Sequence, residues 1–351
     1  MAFRELYRQM ALPIFQNRMY DSPAEGRDCP RGDVVLVEDM ETGLVRNAAF
    51  DASQMEYDAA YQNEQGNSAQ FQRHLDEVAS LIETTMGRDR LVEVGCGKGR
   101  FLELMLSRGA DVTGFDPTYE GSNPRVRKAY FSEALGIRGE GLILRHVLEH
   151  IDDPVAFLFR LAQANGGQGL IYIEVPCLDW ICTHRAWFDI FYEHVNYFRL
   201  TDFHRIFGRV VQADRGFGGQ YLRIVADLAS LRRPVRDAGD AVSFPEDFTT
   251  RLEREATEDL GPCVVWGGAS KGVIFALLRE RAGHPVDRVI DINPSKQGKY
   301  LAGTGLCVLS PEQGLAGLAE GSTIHVMNPN YLPEIAAMAG PGFVYKGMSH
   351  D

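Results

Sequence analysis

The feature that most constrains this chain is an apolar run that passes through alternating glycines into a helix-like segment. Residues 91–101 read LVEVGCGKGRF. Because glycine lacks a Cβ atom, it allows a tight turn and lets a ligand approach the backbone closely. The first turn of a following helix carries backbone N–H groups that have no partner inside the helix. The segment therefore predicts a strand, a glycine turn and a helix, with a polar ligand held at the turn.

The same alternation of strands and helices extends along most of the chain. The strand candidates LVEVG, DVTGFD, GLILRHV and GLIYIEVP are apolar on both faces, as buried parallel strands are. VVQADRG and QYLRIVADL lie a short turn apart and predict an antiparallel hairpin that closes the sheet. Further on, CVVWGGASKGVIFALL restarts the alternation. We expect an α/β fold with a doubly wound sheet and a second, smaller Rossmann-like domain.

These patterns divide the chain into four regions. Residues 1–75 are predicted to form a small irregular lobe with two short strands, VVLVED and TGLVRNAAF. Residues 76–228 form the first α/β core, residues 229–258 a polar linker, and residues 259–351 the second α/β domain. A length of 351 residues fits about two domains of roughly 150 residues each.

Charge and cysteine content exclude several classes of function. With 36 basic and 48 acidic residues the formal charge is −12, which disfavours a nucleic acid partner because such partners usually require a basic face. No stretch approaches the roughly 18 apolar residues of a membrane span, and MAFRELYRQMALPIF lacks the apolar core of a signal peptide. The six cysteines include no CxxC pair, so no structural zinc site is expected. We predict a cytoplasmic protein with a small-molecule substrate and no membrane partner.

Two acidic residues indicate what the glycine turn binds: Glu93 in the strand before the turn, and Asp116 at the end of the next predicted strand. Asp116 ends DVTGFD, where a carboxylate can accept both hydroxyls of a ribose, and Pro117 follows it at the same site. The turn reads G-x-G-x-G, whereas a dinucleotide fingerprint reads G-x-G-x-x-G. Glu93, just before Gly95 and Gly97, suits a cationic ligand without phosphate. An NAD-dependent oxidoreductase is the disfavoured alternative at this point.

Two later segments carry further candidate chemistry. In RHVLEHIDDP the HxxxH spacing of His146 and His150 is compatible with a metal site. In WFDIFYEHVNYF the adjacent Glu193 and His194 offer a general base with an orienting partner. The alternative for this second segment is an aromatic helix face that packs in the core.

The glycine turn, EVGCGKGRF, resembles the first motif of class I S-adenosylmethionine (SAM) methyltransferases. RHVLEHIDDP resembles the motif after the fourth strand of metal-independent members of that class, which implies that His146 lines the SAM pocket and does not bind a metal. The resemblance implies a seven-stranded sheet, with Gly95 and Gly97 holding the amino acid part of SAM and Asp116 holding its ribose. It also implies S-adenosyl-L-homocysteine (SAH) as product and no metal cofactor.

The segment EHVNYF resembles part of the Y-H-E-H-x-x-Y-F signature of deoxysugar C-methyltransferases, which act on nucleotide-diphosphate 3-keto sugars. The resemblance implies that His194 is the base and that Glu193 orients it, with Tyr192 or Tyr61 stabilising the substrate oxygen. Two positions depart from the signature: Phe191 stands for its first tyrosine and Tyr192 for its first histidine.

The resemblance covers the chain from about residue 13 to the end. YDAAYQNEQGNS resembles the family segment before the SAM core, and WGGASKG resembles the turn of its substrate-binding C-terminal domain. The paired cysteines of the family's N-terminal zinc lobe are missing. The implied substrate-binding residues are Tyr57, Asn196, Tyr197, Lys271 and Lys296. A purely structural second domain is the alternative.

We therefore predict a SAM-dependent C-methyltransferase that acts on a nucleotide-activated keto sugar or a related small polar metabolite. A base would form an enolate, which would then attack the methyl group. The alternatives are O- or N-methylation of a sugar or natural product, and a SAM-binding partner protein without catalysis.

Overall fold

The computed structural model describes residues 2–55, 68–250 and 262–348. Tyr57 and Tyr61, two of the predicted site residues, lie outside the described residues. Three sheets organise the described part of the chain, with four, seven and five strands. None of the described helices is both long and apolar enough to cross a membrane.

The N-terminal lobe is an antiparallel sheet rather than an irregular structure. Its strands are β1 (Phe3–Pro13), β2 (Arg31–Asp39), β3 (Val45–Asn47) and β9 (Asn196–Tyr197), in the order β1-β2-β3-β9. A short helix, α1 (Pro23–Arg27), lies between β1 and β2. The fourth strand comes from residues 187–198, which we call the roof segment, and lies almost 150 residues after β3 in the chain. It pairs Tyr197 with Val45.

The first α/β core contains the predicted seven-stranded mixed sheet, with strand order β10-β11-β8-β7-β4-β5-β6. The strands are β4 (Leu91–Val94), β5 (Val112–Phe115), β6 (Val126–Arg127), β7 (Gly141–Arg145), β8 (Leu170–Pro176), β10 (Val210–Gly216) and β11 (Tyr221–Asp227). β10 and β11 form the antiparallel hairpin that the sequence predicts, and β11 pairs antiparallel with β8. The fold class is confirmed.

The helices around this sheet are α2 (Ala69–Met86), α3 (Arg100–Ser107), α4 (Pro154–Ala164), α5 (Leu178–Thr183) and α6 (Leu200–Ile206). Ser68 caps α2 by accepting a hydrogen bond from the N–H of Phe71. The residues of α2 at helical spacing, including Leu75, Val78 and Ile82, pack with β4 and β5 in one apolar cluster. Asp153 caps α4, and Pro154 occupies its first turn as expected.

The second α/β unit is a five-stranded parallel sheet with strand order β14-β13-β12-β15-β16. Its strands are β12 (Val264–Trp266), β13 (Arg288–Ile290), β14 (Val308–Leu309), β15 (Thr323–Val326) and β16 (Val344–Gly347). Its helices are α7 (Lys271–Arg281), α8 (Pro311–Leu315) and α9 (Leu332–Ala339). α7 is buried along most of its length.

The described part of the predicted linker packs against the N-terminal lobe. The Tyr7 ring lies 5.8 Å from Phe244 and 5.2 Å from Phe248, measured between ring centroids. Arg236 forms an ion pair with the buried Glu38 of β2 at 3.1 Å. Residues 229–250 therefore form a strap fixed to β1 and β2.

Polar contacts join the two α/β units beside a shared cleft. Glu334 of α9 accepts a hydrogen bond from Ser68, the cap of α2, at 2.7 Å. Asn330 donates from its amide nitrogen to the carbonyl oxygen of Phe217 at 2.9 Å. Lys271 at the start of α7 contacts Asp189 of the roof segment at 2.8 Å. These contacts place the glycine turn of the first unit opposite the second unit.

Candidate active site

A cavity of about 420 Å³ lies between the two α/β units and is lined by residues of both. The glycine turn, Glu93 and His146 contribute from the first unit. Glu193 and His194 contribute from the roof segment, and Lys271 and Lys296 from the second unit. Most of the predicted site residues in the described part of the chain therefore face one space, although the sequence separates them widely.

The glycine turn after β4 adopts a conformation that requires glycine. Gly95 has φ of 73°, and a Cβ atom there would lie 2.5 Å from Cγ2 of Val147. The N–H of Gly97 donates to Asp116 Oδ2 at 2.8 Å, while Asp116 Oδ1 accepts from the N–H of Thr118. Each carboxylate oxygen can accept more than one hydrogen bond, so Asp116 keeps the capacity to bind hydroxyls. Asp116 and Pro117, which follow β5, are not among the residues that line the cavity, so their cofactor-binding roles stay predictions.

Glu93 is a buried acidic residue that lines the cavity. Its side chain is 3% exposed, and its Oε2 atom has no hydrogen-bond partner. Burial raises the pKa of Glu93 to about 7, with Arg145 lowering it and Asp116 raising it further. A cationic group bound beside Glu93 would satisfy the unpartnered oxygen. The residues present therefore fit the ammonium end of SAM.

A buried carboxylate on β8 organises the wall next to Glu93. Glu174 accepts hydrogen bonds from Arg145 at 3.0 Å, from Tyr172 at 2.6 Å and from His146 Nε2 at 3.0 Å. His74 Nε2 of α2 lies 3.1 Å from the same carboxylate. Burial by itself raises the pKa of Glu174, but Arg145 and the two histidines outweigh it and hold that pKa well below its ordinary value.

His146 is held in an unusual backbone conformation at the end of β7. Its φ is 51°, in the left-handed region that residues other than glycine seldom adopt. Its Nδ1 lies 3.2 Å from Glu149 Oε1. Burial lowers the pKa of His146, but the hydrogen bonds to Glu149 and Glu174 exceed that effect and raise the pKa to about 9. His146 therefore presents a cation to the cavity that it was predicted to line.

His194 lies at the wall of the cavity among aromatic rings. It is 9% exposed, and its ring centroid lies 4.1 Å from that of Phe191 and 4.9 Å from that of His150. Its Nδ1 atom is buried without a hydrogen-bond partner. Burial, followed by the charges of His150, His146 and Lys271, holds the pKa of His194 well below its ordinary value. His194 therefore lines the cavity and keeps one ring nitrogen without a hydrogen-bond partner.

Two neighbours of His194 have defined partners elsewhere. Glu193 Oε1 accepts from the N–H of Gln16 at 2.7 Å, and the carbonyl oxygen of Glu193 accepts from His150 Nδ1 at 2.9 Å. The hydroxyl of Tyr192 accepts from the N–H of Asp51 at 2.8 Å, and Tyr192 is not among the residues lining the cavity. The orienting role of Glu193 and the oxygen-stabilising role of Tyr192 stay predictions.

Asn196 and Tyr197 hold the roof segment in place. Asn196 donates from its amide nitrogen to the carbonyl oxygens of Leu148 and Ile151, at 3.3 and 2.6 Å. The hydroxyl of Tyr197 donates to the carbonyl oxygen of Phe191 and accepts from the N–H of the same residue, both at 3.0 Å. Neither residue lines the cavity, so their hydrogen bonds fix the backbone of neighbouring residues and their substrate-binding roles stay predictions.

The two lysines of the second unit reach the cavity but are already bonded. Lys271 Nζ contacts Asp189 at 2.8 Å, donates to Gln220 Oε1 at 3.0 Å and lies 5.0 Å from the Trp180 ring centroid. Lys296 Nζ contacts Asp291 at 3.3 Å. An anion that binds these lysines would share them with carboxylates.

Sequence reasoning missed Glu174 and Glu149 and set His150 aside. Glu174 was signalled by a single acid inside the apolar strand IYIEVP, where a buried charge requires partners. Glu149 and His150 stand beside each other in HVLEHI, and with His194 they offer ligand atoms that lie within 4.8 Å of one another. These three residues could hold a metal ion, and the expected absence of a metal stays a prediction.

Several known proteins are similar to this chain. Residues 60–210 match the family model described as a methyltransferase domain. The crystal structure of 1,6-didemethyltoxoflavin N1-methyltransferase from Burkholderia thailandensis is 18% identical, over 44% of this chain and 77% of that one, with a TM-score of 0.34. A SAM-dependent methyltransferase from Archaeoglobus fulgidus is also 18% identical, over 46% of this chain and 95% of that one, with a TM-score of 0.34.

The fold, the glycine turn and the family match together define a class I SAM-dependent methyltransferase. Within that class, the chain is similar to the C-methyltransferase NovU of Streptomyces niveus. The two are 27% identical over 308 aligned positions, which cover 75% of this chain and 72% of the relative. The predicted enzyme class is confirmed.

Proposed function

We propose that this enzyme transfers the methyl group to carbon, on a nucleotide-activated keto sugar or a related small polar metabolite. The observation that carries the proposal is the position of His194, which lines the same cavity as the glycine turn and has a buried ring nitrogen without a hydrogen-bond partner. The similarity to a C-methyltransferase supports the same reaction. We also propose that it acts in the cytoplasm.

The chemistry requires a base because a carbon next to a ketone is a poor nucleophile until it loses a proton. His194 would take that proton, and the electrons of the C–H bond would form an enolate. SAM, when bound, supplies an electrophilic methyl group. The enolate carbon would form the new C–C bond as the sulfur–methyl bond breaks, which leaves SAH and a protonated His194.

The remaining residues have positioning roles in this proposal. Glu93, Gly95 and Gly97 would hold SAM together with Asp116, which is hydrogen-bonded to Gly97, and His146 lines the same cavity as a cation stabilised by two carboxylates. The enolate oxygen would lie near this cation, which favours the developing negative charge. The second unit would hold the nucleotide part of the substrate through Lys271 and Lys296, which face the cavity.

Proton exchange tests the proposal directly. We expect the enzyme with SAH and a nucleotide-linked 3-keto sugar in D₂O to exchange the substrate proton next to the ketone. His194→Ala should abolish that exchange and lower the methylation rate by about 10²–10⁴-fold, the usual contribution of a positioned base. His204→Ala, at an exposed histidine on α6, serves as the matched control and should leave both rates unchanged.

Binding of SAM should survive the loss of His194, because Gly95, Gly97 and Asp116 lie at other strand ends. Isothermal titration calorimetry with His194→Ala checks this point. Methyl transfer without carbon-bound exchange would contradict C-methylation and favour an O- or N-methyltransferase. Full activity of His194→Ala would contradict the assignment of the base.

A further inference from the structure

A cluster in the cavity wall is only partly explained by methyl transfer. Glu149 and His150 belong to a helical turn, Leu148–His150, that follows β7, and His194 belongs to the roof segment. Each offers one ligand atom, and these atoms all lie within 4.8 Å of one another. Two imidazoles and one carboxylate form a ligand set that zinc and related divalent transition metals take in proteins.

The hydrogen bonds around Glu149 and His150 leave the ligand atoms free. His150 Nδ1 lies 2.9 Å from the carbonyl oxygen of Glu193, which can only accept, so Nδ1 carries the hydrogen and Nε2 keeps its lone pair. Glu149 Oε1 interacts with His146 Nδ1 at 3.2 Å, while Oε2 is buried without a hydrogen-bond partner. Metal-binding histidines and carboxylates commonly have their other polar atom bonded in this way.

His194 of the roof segment completes the cluster. Its Nδ1 atom is buried without a partner, and the rings of Phe191 and Tyr197 limit its orientation. Glu149 is 1% exposed, and a buried carboxylate oxygen without a partner is unfavourable unless a cation or a donor meets it. Two unpartnered buried atoms from different segments therefore point to one missing ligand.

The sequence spacing alone suggested a different pair of histidines as metal ligands. His146 and His150 have the HxxxH spacing, but the fold directs His146 Nε2 to Glu174 and its Nδ1 to Glu149. His146 consequently acts as a neighbour that orients the carboxylate. The replacement of His146 by His194 as the second imidazole could be found only from the fold.

We propose that Glu149, His150 and His194 bind one divalent transition-metal ion of the zinc class, with its remaining position open to the cavity. The ion takes the lone pair of His194, which the proposed reaction needs for its proton. Bound metal therefore inhibits methyl transfer, a consequence that rests on the proposed function, whereas the binding itself does not.

Cobalt is a suitable probe because its visible absorption reports its ligands. The full-length protein is freed of metal with a chelator, dialysed, and titrated with CoCl₂ alone, without SAM or substrate. We expect saturation at one ion per chain and d–d bands of a low-coordinate site. Glu149→Gln and His150→Gln should each weaken cobalt binding at least about tenfold, since altering even the supporting contacts of such sites has effects of that order.

Glu320→Gln and His204→Gln change exposed residues of the same two types and should leave the affinity unchanged. Circular dichroism of each variant establishes that it folds. X-ray absorption spectroscopy of the cobalt-loaded wild-type protein adds a test that needs no variant, and we expect two imidazole ligands and no sulfur. Absent binding, a sulfur ligand, or equal affinity in folded Glu149→Gln and His150→Gln would overturn the site.

The inhibitory consequence has its own measurement. The metal-free enzyme should lose methyl transfer activity as Zn²⁺ is added in proportion to site occupancy and regain it when a chelator is added. Activity that stays constant at full occupancy would overturn the competition for His194 while the binding data stand. Failure of methyl transfer in the metal-free enzyme would instead count against the proposed function.

Discussion

The two α/β units contain glycine turns with similar backbone hydrogen bonds but different surroundings. Gly95 donates its N–H to the carbonyl oxygen of Phe115, the last residue of the neighbouring strand, and Gly267 donates likewise to Ile290, both at 2.8 Å. The residue that follows each neighbouring strand is an aspartate that accepts a hydrogen bond from the turn. Asp116 accepts from the N–H of Gly97 and Asp291 from the N–H of Gly268, at 2.8 and 2.9 Å.

The difference lies in the space and charge around each turn. A Cβ atom on Gly97 would meet nothing within 4 Å, whereas one on Gly268 would lie 3.1 Å from Val308. Glu93 stands two residues before Gly95, and the corresponding position before Gly267 is Val265. The first turn is open and acidic, and the second is packed and bordered by lysines. The two units thus share a backbone plan, and both turns line the cavity, but they differ in local packing and charge.

The largest expected effect is a loss of stability on replacing a glycine of the packed second turn, compared with a glycine of the open first turn. Gly272→Ala would place a Cβ atom 1.8 Å from the carbonyl oxygen of Gly267, which is backbone and cannot move aside. We expect a loss of about 3 kcal/mol or more in the free energy of unfolding. Gly97→Ala, with open space but φ of 53°, should lose only about 1–2 kcal/mol. Urea unfolding followed by circular dichroism measures both, and equal losses would contradict the distinction.

The two aspartates should differ in their effect on the cofactor. Asp116→Ala removes an acceptor of the SAM ribose and should weaken SAM binding by about tenfold to a hundredfold, or roughly 1.5–3 kcal/mol. Asp291→Ala, its counterpart in the second unit, should leave SAM affinity unchanged. Calorimetry on both variants makes the comparison. Unchanged affinity in Asp116→Ala would refute its assignment.

The lysines test what the second unit contributes to the substrate. Lys296→Ala should raise KM by about tenfold with little change in kcat, the pattern of lost uniform binding. Lys271→Ala should do the same and also affect kcat, because Lys271 contacts Asp189 in the roof segment. Lys128→Ala, at an exposed lysine of the first unit, is the control. Unchanged KM in both variants would leave the second unit structural.

The smallest expected effect is a pH dependence at the open turn. Glu93 has its pKa raised to about 7, mainly by burial, and a cationic ligand binds best to its charged form. Its contribution to SAM affinity is therefore present above pH 7 and lost as the pH falls through 7. We expect about threefold to tenfold weaker binding at pH 6 than at pH 7.5. Glu93→Gln should remove the dependence, and a pH profile identical to wild type would contradict it.

The sequence predicted local features better than distant ones. The glycine turn and the β10–β11 hairpin follow from short-range patterns, and both are present. β1 was missed because register shifts between Glu5 and Tyr7 and between Gln9 and Leu12 interrupt the period-two pattern. The strap at residues 229–250 looked like a linker because its buried aromatic residues are few and widely spaced.

The candidate site divides in the same way. Glu93 and Asp116 could be found because each lies beside a recognisable strand end. The partners of Lys271 and His150 could not, since Asp189 and Glu193 lie far from them in the chain and meet them only in the folded protein. Sequence patterns identify which residues carry chemistry, while the pairing that sets their charge depends on tertiary packing.

The pairing of β3 with β9 has a consequence for synthesis on the ribosome. Val45 pairs with Tyr197, so the N-terminal sheet lacks its last strand while about 150 further residues are made. At roughly 5–20 residues per second this interval lasts about 8–30 s. During that time the edge of β3 is open, and an open strand edge is a template for association with other chains. The nascent lobe can therefore associate with other chains until the roof segment has been synthesised and β9 pairs with β3.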